Sequence, residues 1–535
     1  MLGPFGWVRQ KLGYRMGYRH LSSDIDQHEI ADETGPSQFH DDVEAKELES
    51  TPKSRRWKLA IIGRHIKKLI VLLPSFLHPR DPDKPPRGLH STSWLDGLRG
   101  VAAFFVVWHH ISLVFFPWDL HNGWTSPNDP VIRFPIVRLA ISGLPNVMVF
   151  FAVSGYALSY KPLSLLRQGR LQDAHQALAS SAFRRHPRLF VPAVALCLPC
   201  VLVAHLGLYG GGERMPGAAV ATLGPPRRDT LWRQLLDYGG AVARLCDPFA
   251  GDGVGWVYND ALWTLPVEFR GSLVVFGLLL AVSRLRDGVR LLVVFAVVVY
   301  CLCFAHWAEF LFVGGVLLAD LRLCFSGRGD GCGGCGDTEA KTRCCRSRVV
   351  VSAALRWWRC AVGCRVLQII ASLLSFLGAL YLLGMPKLER GGAETPGFEF
   401  LARLIPERWR AAGSPDHFWP SIAAVWLVLS VDRAPFLQRV FTCRFAQYLG
   451  RISYSLYLVH LVILHSFGFW LGKYFVGLAG SDSELHYFAG VLAAAAVFWL
   501  ISVWAADLGW RFVDAKVVRF ASWVYNRLCK NLAVS

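Results

Sequence analysis

The stretch WLDGLRGVAAFFVVWHHISLVFFP, residues 94–117, decides the fold class of this chain. From residue 97 to residue 117 it contains one Lys, Arg, Asp or Glu, namely Arg99, and most of its side chains are apolar. The hydrocarbon core of a bilayer is about 30 Å thick, so a spanning helix needs about 20 mostly apolar residues. The stretch is therefore predicted to be a membrane-spanning helix.

Nine more apolar runs follow, at 137–158, 189–208, 261–283, 290–304, 305–321, 366–384, 417–432, 453–473 and 487–511. Only 18% of the 535 residues are charged, whereas soluble domains average about 25%. The fold is predicted to be all-α, a polytopic membrane bundle of about ten transmembrane helices. Because the runs at 290–304 and 305–321 are short and tightly joined, the number of spans depends on their boundary near Phe304.

Basic residues are concentrated in every second loop of this arrangement. They follow the second, fourth, sixth and eighth runs, and examples are Arg167, Arg284, Arg365 and Arg433. Cytosolic loops of membrane proteins carry such an excess, so these loops and both termini are predicted to be cytosolic. The membrane is an endomembrane or the plasma membrane. The net charge of +18 reflects this topology, and no nucleic-acid partner is predicted.

The first 90 residues differ in composition from the rest. Residues 22–50 hold ten acidic side chains and one lysine, which predicts disorder because so few apolar groups cannot form a core. Residues 53–78 mix basic and apolar side chains and predict an amphipathic helix on the cytosolic leaflet. The predicted organisation is a cytosolic region at 1–90, a membrane domain at 91–515 and a cytosolic tail at 516–535.

Half of the 14 cysteines crowd one predicted cytosolic loop between 324 and 364. Cys332 and Cys335 have the spacing of half a zinc site, but the spacing to the next cysteines fits no strong pattern and no histidine is near. No metal site is predicted. The preferred interpretation is reduced thiols, some of them palmitoylated beside the membrane.

Ionisable side chains at membrane depth are costly, which makes them functional candidates. In the first run Arg99 and His110 are eleven residues apart, almost three whole helical turns, so both are predicted on one helix face. His109 is rotated roughly 80° from that face and is expected to pack against a neighbour. Arg99 then lies near the cytosolic end and His110 deeper.

Arginines also precede the third run, which is predicted to start at the same membrane face. Arg184, Arg185 and Arg188 can therefore meet Arg99 at one mouth. Such a cluster either anchors the helices by the positive-inside rule or binds phosphate groups.

Glu268 in the fourth run is expected at a depth similar to that of His110. A buried carboxylate could pair with the imidazole, or it could instead neutralise Arg270 or an arginine at a helix end. In the ninth run Tyr454 and His460 belong to a polar face, which either forms part of the site or joins helices through hydrogen bonds.

Five segments of the chain, in this order, carry a family resemblance: 95–100 with His110, 150–156, 185–188, 263–268 and 452–460. Together they resemble the multi-pass membrane acyltransferases of the acyltransferase 3 family, over residues 94 to 515. The fourth segment departs from the pattern, because Pro266 and Phe269-Arg270 stand where many relatives carry a second acidic residue.

This resemblance implies transfer of an acyl group, often acetyl, from an acyl-CoA donor to a hydroxyl group of a small molecule, secondary metabolite, glycan or lipid. The donor is a substrate, so no permanently bound cofactor is expected. The predicted catalytic residues are His110, Glu268 and Arg99. The predicted substrate-binding residues are Arg185, Arg188, Trp263, Tyr454 and His460.

In the predicted mechanism the phosphates of coenzyme A bind at the arginine mouth and the thioester reaches inward to His110. His110 acts as general base on the acceptor hydroxyl, or takes the acyl group itself as a nucleophile. Glu268 orients the imidazole, and a nearby Arg or Tyr stabilises the oxyanion. The alternatives are a proton-coupled transporter that uses His109, His110 and Glu268 as a relay, and a catalytically inactive membrane scaffold.

Overall fold

The computed structural model describes residues 71–78, 88–210, 212–247, 256–326 and 365–529. These residues form helices, turns and loops, and no strand occurs among them. The all-α prediction is confirmed for this part of the chain. The predictions for the acidic segment, for most of 53–78 and for the cysteine-rich loop beyond residue 326 lie outside the described residues.

Seventeen α-helices follow one another along the described chain. They are Ser93–Phe115 (α1), Gly143–Arg167 (α2), Leu171–Cys197 (α3), Pro199–His205 (α4), Leu231–Cys246 (α5), Thr264–Ala281 (α6), Asp287–Cys303 (α7), Trp307–Ser326 (α8), Arg365–Leu383 (α9), Glu399–Arg403 (α10), Glu407–Ala411 (α11), Phe418–Arg433 (α12), Pro435–Thr442 (α13), Arg444–Ile463 (α14), Phe469–Ala479 (α15), Glu484–Gly509 (α16) and Ala515–Leu528 (α17).

Each of the ten predicted apolar runs is largely helical in the structure. Among the described residues, seven helical stretches are long and apolar enough to cross a membrane, or eight if α12 and α13, bent by 101°, form one span. The chain is a multi-pass membrane protein, and its predicted number of ten spans is approximate. The two short runs are the separate helices α7 and α8, joined by residues 304–306.

Three helices extend well beyond the apolar runs that predicted them. Helix α3 begins at Leu171 rather than near 189, because residues 171–182 are rich in the helix formers Ala, Leu and Gln. Arg185 and Arg188 therefore lie inside a helix and not in a connecting loop. Helices α14 and α16 continue through π-helical segments, Leu464–Gly468 and Trp510–Asp514, into α15 and α17.

Two large apolar cores hold the bundle together. One joins α2, α7, α8, α9 and α12, and the other joins α3, α4, α5 and α14–α16. Helices α1 and α6 contribute side chains to both cores, for example Val106 and Val107 from α1. These two helices therefore lie at the boundary between the cores, and this boundary is where the cavity described below is found.

Small residues bring α1 and α14 into backbone contact. A Cβ at Gly100 would overlap the backbone at Gly450, and one at Gly450 would overlap the carbonyl group of Asp96. Such close approach of helix backbones is typical of glycine at membrane helix interfaces. The contact fixes the register of the two helices, so that Arg99 meets residues 450–453 and His110 meets His460. The two helices therefore run parallel.

A buried ion-pair network joins α2, α7 and α8. Asp320 is 0% exposed, and its carboxylate accepts hydrogen bonds from Arg290 at 2.9 and 3.1 Å and from Arg167 at 2.8 Å. Buried charges persist only when they are paired and hydrogen-bonded, as these are. The network fixes the relative positions of three helices behind the cavity.

The last residues of the predicted amphipathic segment dock on α16. The Ser75 hydroxyl donates to Asp507 at 2.6 Å, and Arg511 donates to the carbonyls of Val71 and Leu73. Val71, Leu73 and Phe76 remain exposed to the surroundings. Apolar exposure beside basic groups is what a segment in the membrane interface requires.

Candidate active site

A partly open cavity, about 880 Å³ in volume when its open mouth is included, lies between the two cores. We call it the arginine cavity because four guanidinium groups and only two carboxylates line it. Its lining residues come from α1, α2, α3, α6, α14 and the second π segment: Arg99, Val147, Phe150, Phe151, Ser154, Arg185, Arg188, Leu189, Thr264, Leu265, Glu268, Arg451, Ser453, Tyr454, Tyr457 and Asp514. Its excess of positive charge suits an anionic ligand.

Arg99 is held against α14 on one side of the cavity. Its Nε donates to Ser453 Oγ at 3.2 Å, and its Nη2 donates to the Gly450 carbonyl at 3.1 Å. Asp96 lies 3.3 Å from the same guanidinium and is well exposed, so this pair is weak. These contacts fix one edge of the guanidinium and leave the group on the cavity wall.

Arg185 and Glu268 form an ion pair that joins α3 to α6. The Arg185 guanidinium donates to Glu268 and, at 2.7 Å, to the Ser272 hydroxyl. The same carboxylate oxygen accepts from Ser154 of α2 at 2.7 Å. One carboxylate therefore ties three helices together at the cavity wall. The second role predicted for Glu268 is to neutralise Arg270 or an arginine at a helix end. Its observed partner Arg185 is an arginine inside a helix.

The predicted pairing of Glu268 with His110 is not what the structure contains. Within the described part of the chain, no hydrogen bond joins the two side chains, because Glu268 accepts from Arg185 and Ser154. The physical reason is that a guanidinium offers the carboxylate a charged partner, whereas an imidazole in an apolar setting is neutral.

Arg188 belongs to the arginine cavity and also to a smaller one beside it. The second cavity has about 400 Å³ of empty space and shares Arg185 and Arg188 with the first. Val518 and Ala521 of α17 form its opposite wall. Asp514 of the π segment lies within electrostatic reach of Arg188. The C-terminal helix thus encloses the arginine cluster on the side away from α6.

Two tyrosines of α14 form the inner part of the cavity wall. The Tyr454 hydroxyl donates to the carbonyl of Leu189 in α3. The Tyr457 hydroxyl lies 2.7 Å from Thr264 Oγ1, and it also contacts the Ala261 carbonyl. Both side chains are therefore fixed by backbone and hydroxyl partners.

His110 lies deeper than the lining residues of the arginine cavity. Its ring centroid is 5.2 Å from that of His460, and the Tyr457 ring, which does line the cavity, is 5.8 Å from His460. Tyr457 and His460 therefore stand between the described cavity and His110. The prediction that Arg99 and His110 share one helix face agrees with the structure, because both face α14.

His109 faces a different neighbour, as its position on the helix predicts. Its Nδ1 donates to the Ile141 carbonyl at 2.7 Å, and its ring meets the edge of His121 at 5.5 Å. Burial, with the nearby His109 and Arg138 charges, lowers the pKa of His121 to about 3. This second histidine pair lies outside the arginine cavity.

The structure brings five of the eight predicted site residues to one cavity: Arg99, Arg185, Arg188, Glu268 and Tyr454. His460 and His110 form a pair behind it. Trp263 ends a 3-10 turn before α6 and packs against the first apolar core, outside the cavity lining. Its predicted substrate contact therefore has no geometric support in the described cavity.

Sequence reasoning missed several polar residues of the cavity. Ser154 and Tyr457 lie inside segments already singled out, so their polar side chains at membrane depth were an available signal. Asp514 gave no such signal. Asp514 reaches the cavity only because the helix forms a π segment, and such segments often occur at functional sites.

A pair of imidazoles beside a cationic cavity, His460 buried and His110 half-buried, can accept a proton near a bound anion in a membrane-spanning bundle. This arrangement suits transfer of a group from a phosphorylated carrier within the membrane. Residues 92–505 match the acyltransferase domain of the acyltransferase 3 family, and the chain belongs to that family. It is a multi-pass membrane O-acyltransferase.

Relatives from fungi support this assignment. The chain is 41% identical to O-acetyltransferase PaAT-1 of Phomopsis amygdali, over 88% of this chain and 90% of the relative. It is 25% identical to Acyltransferase R4 of a Phoma species, over 80% and 94% of the two chains, and 22% identical to Acyltransferase clz18 of Cochliobolus lunatus, over 84% and 98%. No solved structure shows a significant match to this chain.

Proposed function

We propose that this enzyme transfers an acetyl group from acetyl-CoA to a hydroxyl group of a small molecule. The acceptor belongs to one of three classes: secondary metabolites, glycans or lipids. The observation that carries the proposal is the arginine cavity, in which four guanidinium groups line a space whose wall residue Tyr457 packs on His460 of the histidine pair. The name of the Phomopsis relative, an O-acetyltransferase, supports acetyl as the transferred group.

The donor binds by its phosphates in this proposal. Guanidinium groups bind phosphate oxygens through paired, charge-assisted hydrogen bonds. Arg99, Arg188 and Arg451 line the cavity, while Arg185 is engaged with Glu268. The smaller cavity extends the cationic surface as far as α17 and gives additional room for the nucleotide portion of the donor.

The thioester end of the donor has to pass Tyr457 to reach His110. Tyr457 lines the cavity and touches His460, so its side chain has to leave its hydrogen bonds to Thr264 and Ala261 for the thioester to reach His110. The narrow arm of coenzyme A, rather than its bulky nucleotide, suits this passage. The acceptor hydroxyl then approaches His110 within the membrane.

His110 acts as general base in the chemical step. The hydroxyl oxygen forms a bond to the thioester carbonyl carbon as its proton moves to a ring nitrogen of His110. The carbon–sulfur bond then breaks, and the proton passes from His110 to the departing thiolate. A covalent route, in which His110 first accepts the acyl group and then gives it to the hydroxyl, uses the same residue. Glu268 contributes by fixing Arg185, rather than by contacting His110.

We further propose that the arginine cavity opens to the cytosol and that both termini are cytosolic. Two arguments support this orientation. Arginines concentrate in alternate loops, as the positive-inside rule requires, and the cytosol supplies acyl-CoA. The acceptor and the bilayer are then the only partners that the reaction needs.

Comparison of metabolites from a strain lacking this gene with those of its parent tests the proposal. The deletion strain is expected to accumulate a species lighter by one acetyl group than a product of the parent. Reintroducing the wild-type gene restores the product and serves as the control. Unchanged acetylated metabolites in the deletion strain would contradict the proposed reaction.

A further inference from the structure

His460 is a fully buried histidine whose tautomer is fixed by its surroundings. It is 0% exposed in α14, and its Nδ1 lies 2.9 Å from the Tyr457 carbonyl and 3.1 Å from the Leu456 carbonyl. Carbonyl oxygens only accept hydrogen bonds, so the proton of a neutral His460 must be on Nδ1. Its Nε2 then carries a lone pair.

That lone pair has no partner within the structure. His460 Nε2 is a buried atom without a hydrogen bond among the described residues. Buried polar atoms of this kind are uncommon, and each requires an explanation such as a role in catalysis. The unpartnered acceptor therefore points to a donor that reaches it during the reaction.

His110 is the nearest titratable ring that can supply this donor. The two ring centroids are 5.2 Å apart. No hydrogen bond joins the two rings in the described structure. A ring nitrogen, however, lies about 1.1 Å from its centroid, so a rotation that turned one nitrogen of each ring toward the other would bring the two atoms to about 3 Å, within hydrogen-bond range. His110 makes no hydrogen bond of its own in the described contacts, and the backbone contact of α1 with α14 keeps the two rings together.

The other histidines nearby already have hydrogen-bond partners. His109 donates to the Ile141 carbonyl, and His465 Nδ1 accepts from the backbone N–H of Leu223. The geometry therefore leaves His110 and His460 as the pair with complementary unused groups.

We propose that His460 is the positioning residue for His110, which deepens the function proposed above and rests on it. His460 Nε2 accepts the N–H of His110, which leaves the other nitrogen of His110 free to face the acceptor hydroxyl. When that hydroxyl attacks the thioester, its proton moves to His110, and the imidazolium is stabilised by His460. His460 keeps its own proton throughout, and the proton on His110 leaves with the thiolate of coenzyme A.

A neutral imidazole suits this role better than a carboxylate inside a membrane. A permanently charged acceptor would require its own countercharge at that depth, whereas His460 is uncharged until a proton reaches the pair. The proposal changes the predicted role of His460, from a residue that binds substrate to one that acts through His110.

Two substitutions at His460 separate positioning from packing. His460→Leu removes the acceptor and keeps a similar volume, and it is expected to lower kcat about 10- to 100-fold, the usual loss when an orienting partner of a histidine is removed. His460→Gln retains an acceptor oxygen and is expected to recover most of that loss. The KM for acetyl-CoA is expected to stay within about twofold in both variants, because neither change touches the arginine cavity.

The assay uses purified full-length protein, radiolabelled acetyl-CoA and a lipid-soluble extract of the deletion strain as the acceptor probe. The matched control is His417→Leu, which removes a half-buried imidazole whose Nδ1 is also buried without a partner among the described residues and whose ring packs on Trp307. It is expected to leave the turnover unchanged. Thermal melting in detergent shows that each variant is folded.

A double substitution gives the most specific result. If His460 acts only through His110, then His460→Leu causes no further loss in a His110→Gln background. Equal and additive losses in both backgrounds would overturn the proposal, as would a glutamine variant as impaired as the leucine variant. Wild-type protein that transfers no acetyl group would instead overturn the proposed function itself, so the two failures are distinguishable.

Discussion

Replacing His110 with glutamine is expected to lower acetyl transfer by about 10²- to 10⁴-fold, the contribution of a positioned general base. An amide cannot accept the hydroxyl proton at neutral pH, although glutamine fills a similar space. Donor binding is expected to stay within about twofold, because His110 lies outside the arginine cavity. Release of coenzyme A thiol and formation of labelled product measure the loss.

The neighbouring residue supplies the control for this prediction. His109→Gln keeps an N–H that can reach the Ile141 carbonyl and changes a side chain that faces away from α14. It is expected to retain most of the wild-type rate. If His110→Gln turned over at a near wild-type rate, no role for His110 as base or nucleophile would remain.

Replacing Arg188 with glutamine is expected to raise the KM for acetyl-CoA about 10- to 100-fold, since a hydrogen bond to a charged group contributes about 1.5–3 kcal/mol. Arg188 lines both cavities. Arg185 by contrast is held by Glu268 and Ser272, so its guanidinium is less available to a phosphate. The kcat at saturating donor is expected to change little.

Arg170→Gln is the matched control for the Arg188 variant. Arg170 precedes the same helix, α3, and forms an exposed pair with Asp173 at 2.7 Å, away from both cavities. Its KM for acetyl-CoA should equal that of the wild type. An unchanged KM for Arg188→Gln, measured beside this control, would remove Arg188 from the donor site.

Much of the helical arrangement can be predicted from the amino-acid sequence. Apolar runs longer than the bilayer core predict helices, and a spacing of eleven residues predicts that Arg99 and His110 share a face. Both expectations agree with the structure, because the periodicity of a helix is a local property. The start of α3 was not predicted, because its first three turns mix polar side chains with Ala and Leu and contain no long apolar run.

Contacts between distant segments were harder to predict. The Arg185–Glu268 pair joins residues 83 positions apart, and its formation depends on how α3 and α6 pack. Equal depth suggested that Glu268 would meet His110, but depth leaves the rotation of each helix about its axis unspecified. The approach of Asp514 to the cavity depends in turn on a π segment, for which the sequence provides no simple pattern.

The hydrogen-bond partners of Glu268 and His109 argue against the alternative of a proton-coupled transporter. A relay through His109, His110 and Glu268 needs these groups in one connected chain. In the described structure Glu268 is tied to Arg185 and Ser154, and His109 is tied to Ile141. Membership of the acyltransferase 3 family independently identifies the chain as an enzyme.

Thiol release by the purified wild-type protein tests the central claim most directly. The protein is incubated with acetyl-CoA, with and without the lipid-soluble extract of the deletion strain. The account predicts that free coenzyme A appears with the extract, in equal amount to an acetylated product, and that little appears without it. Acetyl-CoA that remains intact in the presence of the extract, with folded protein, would contradict the account.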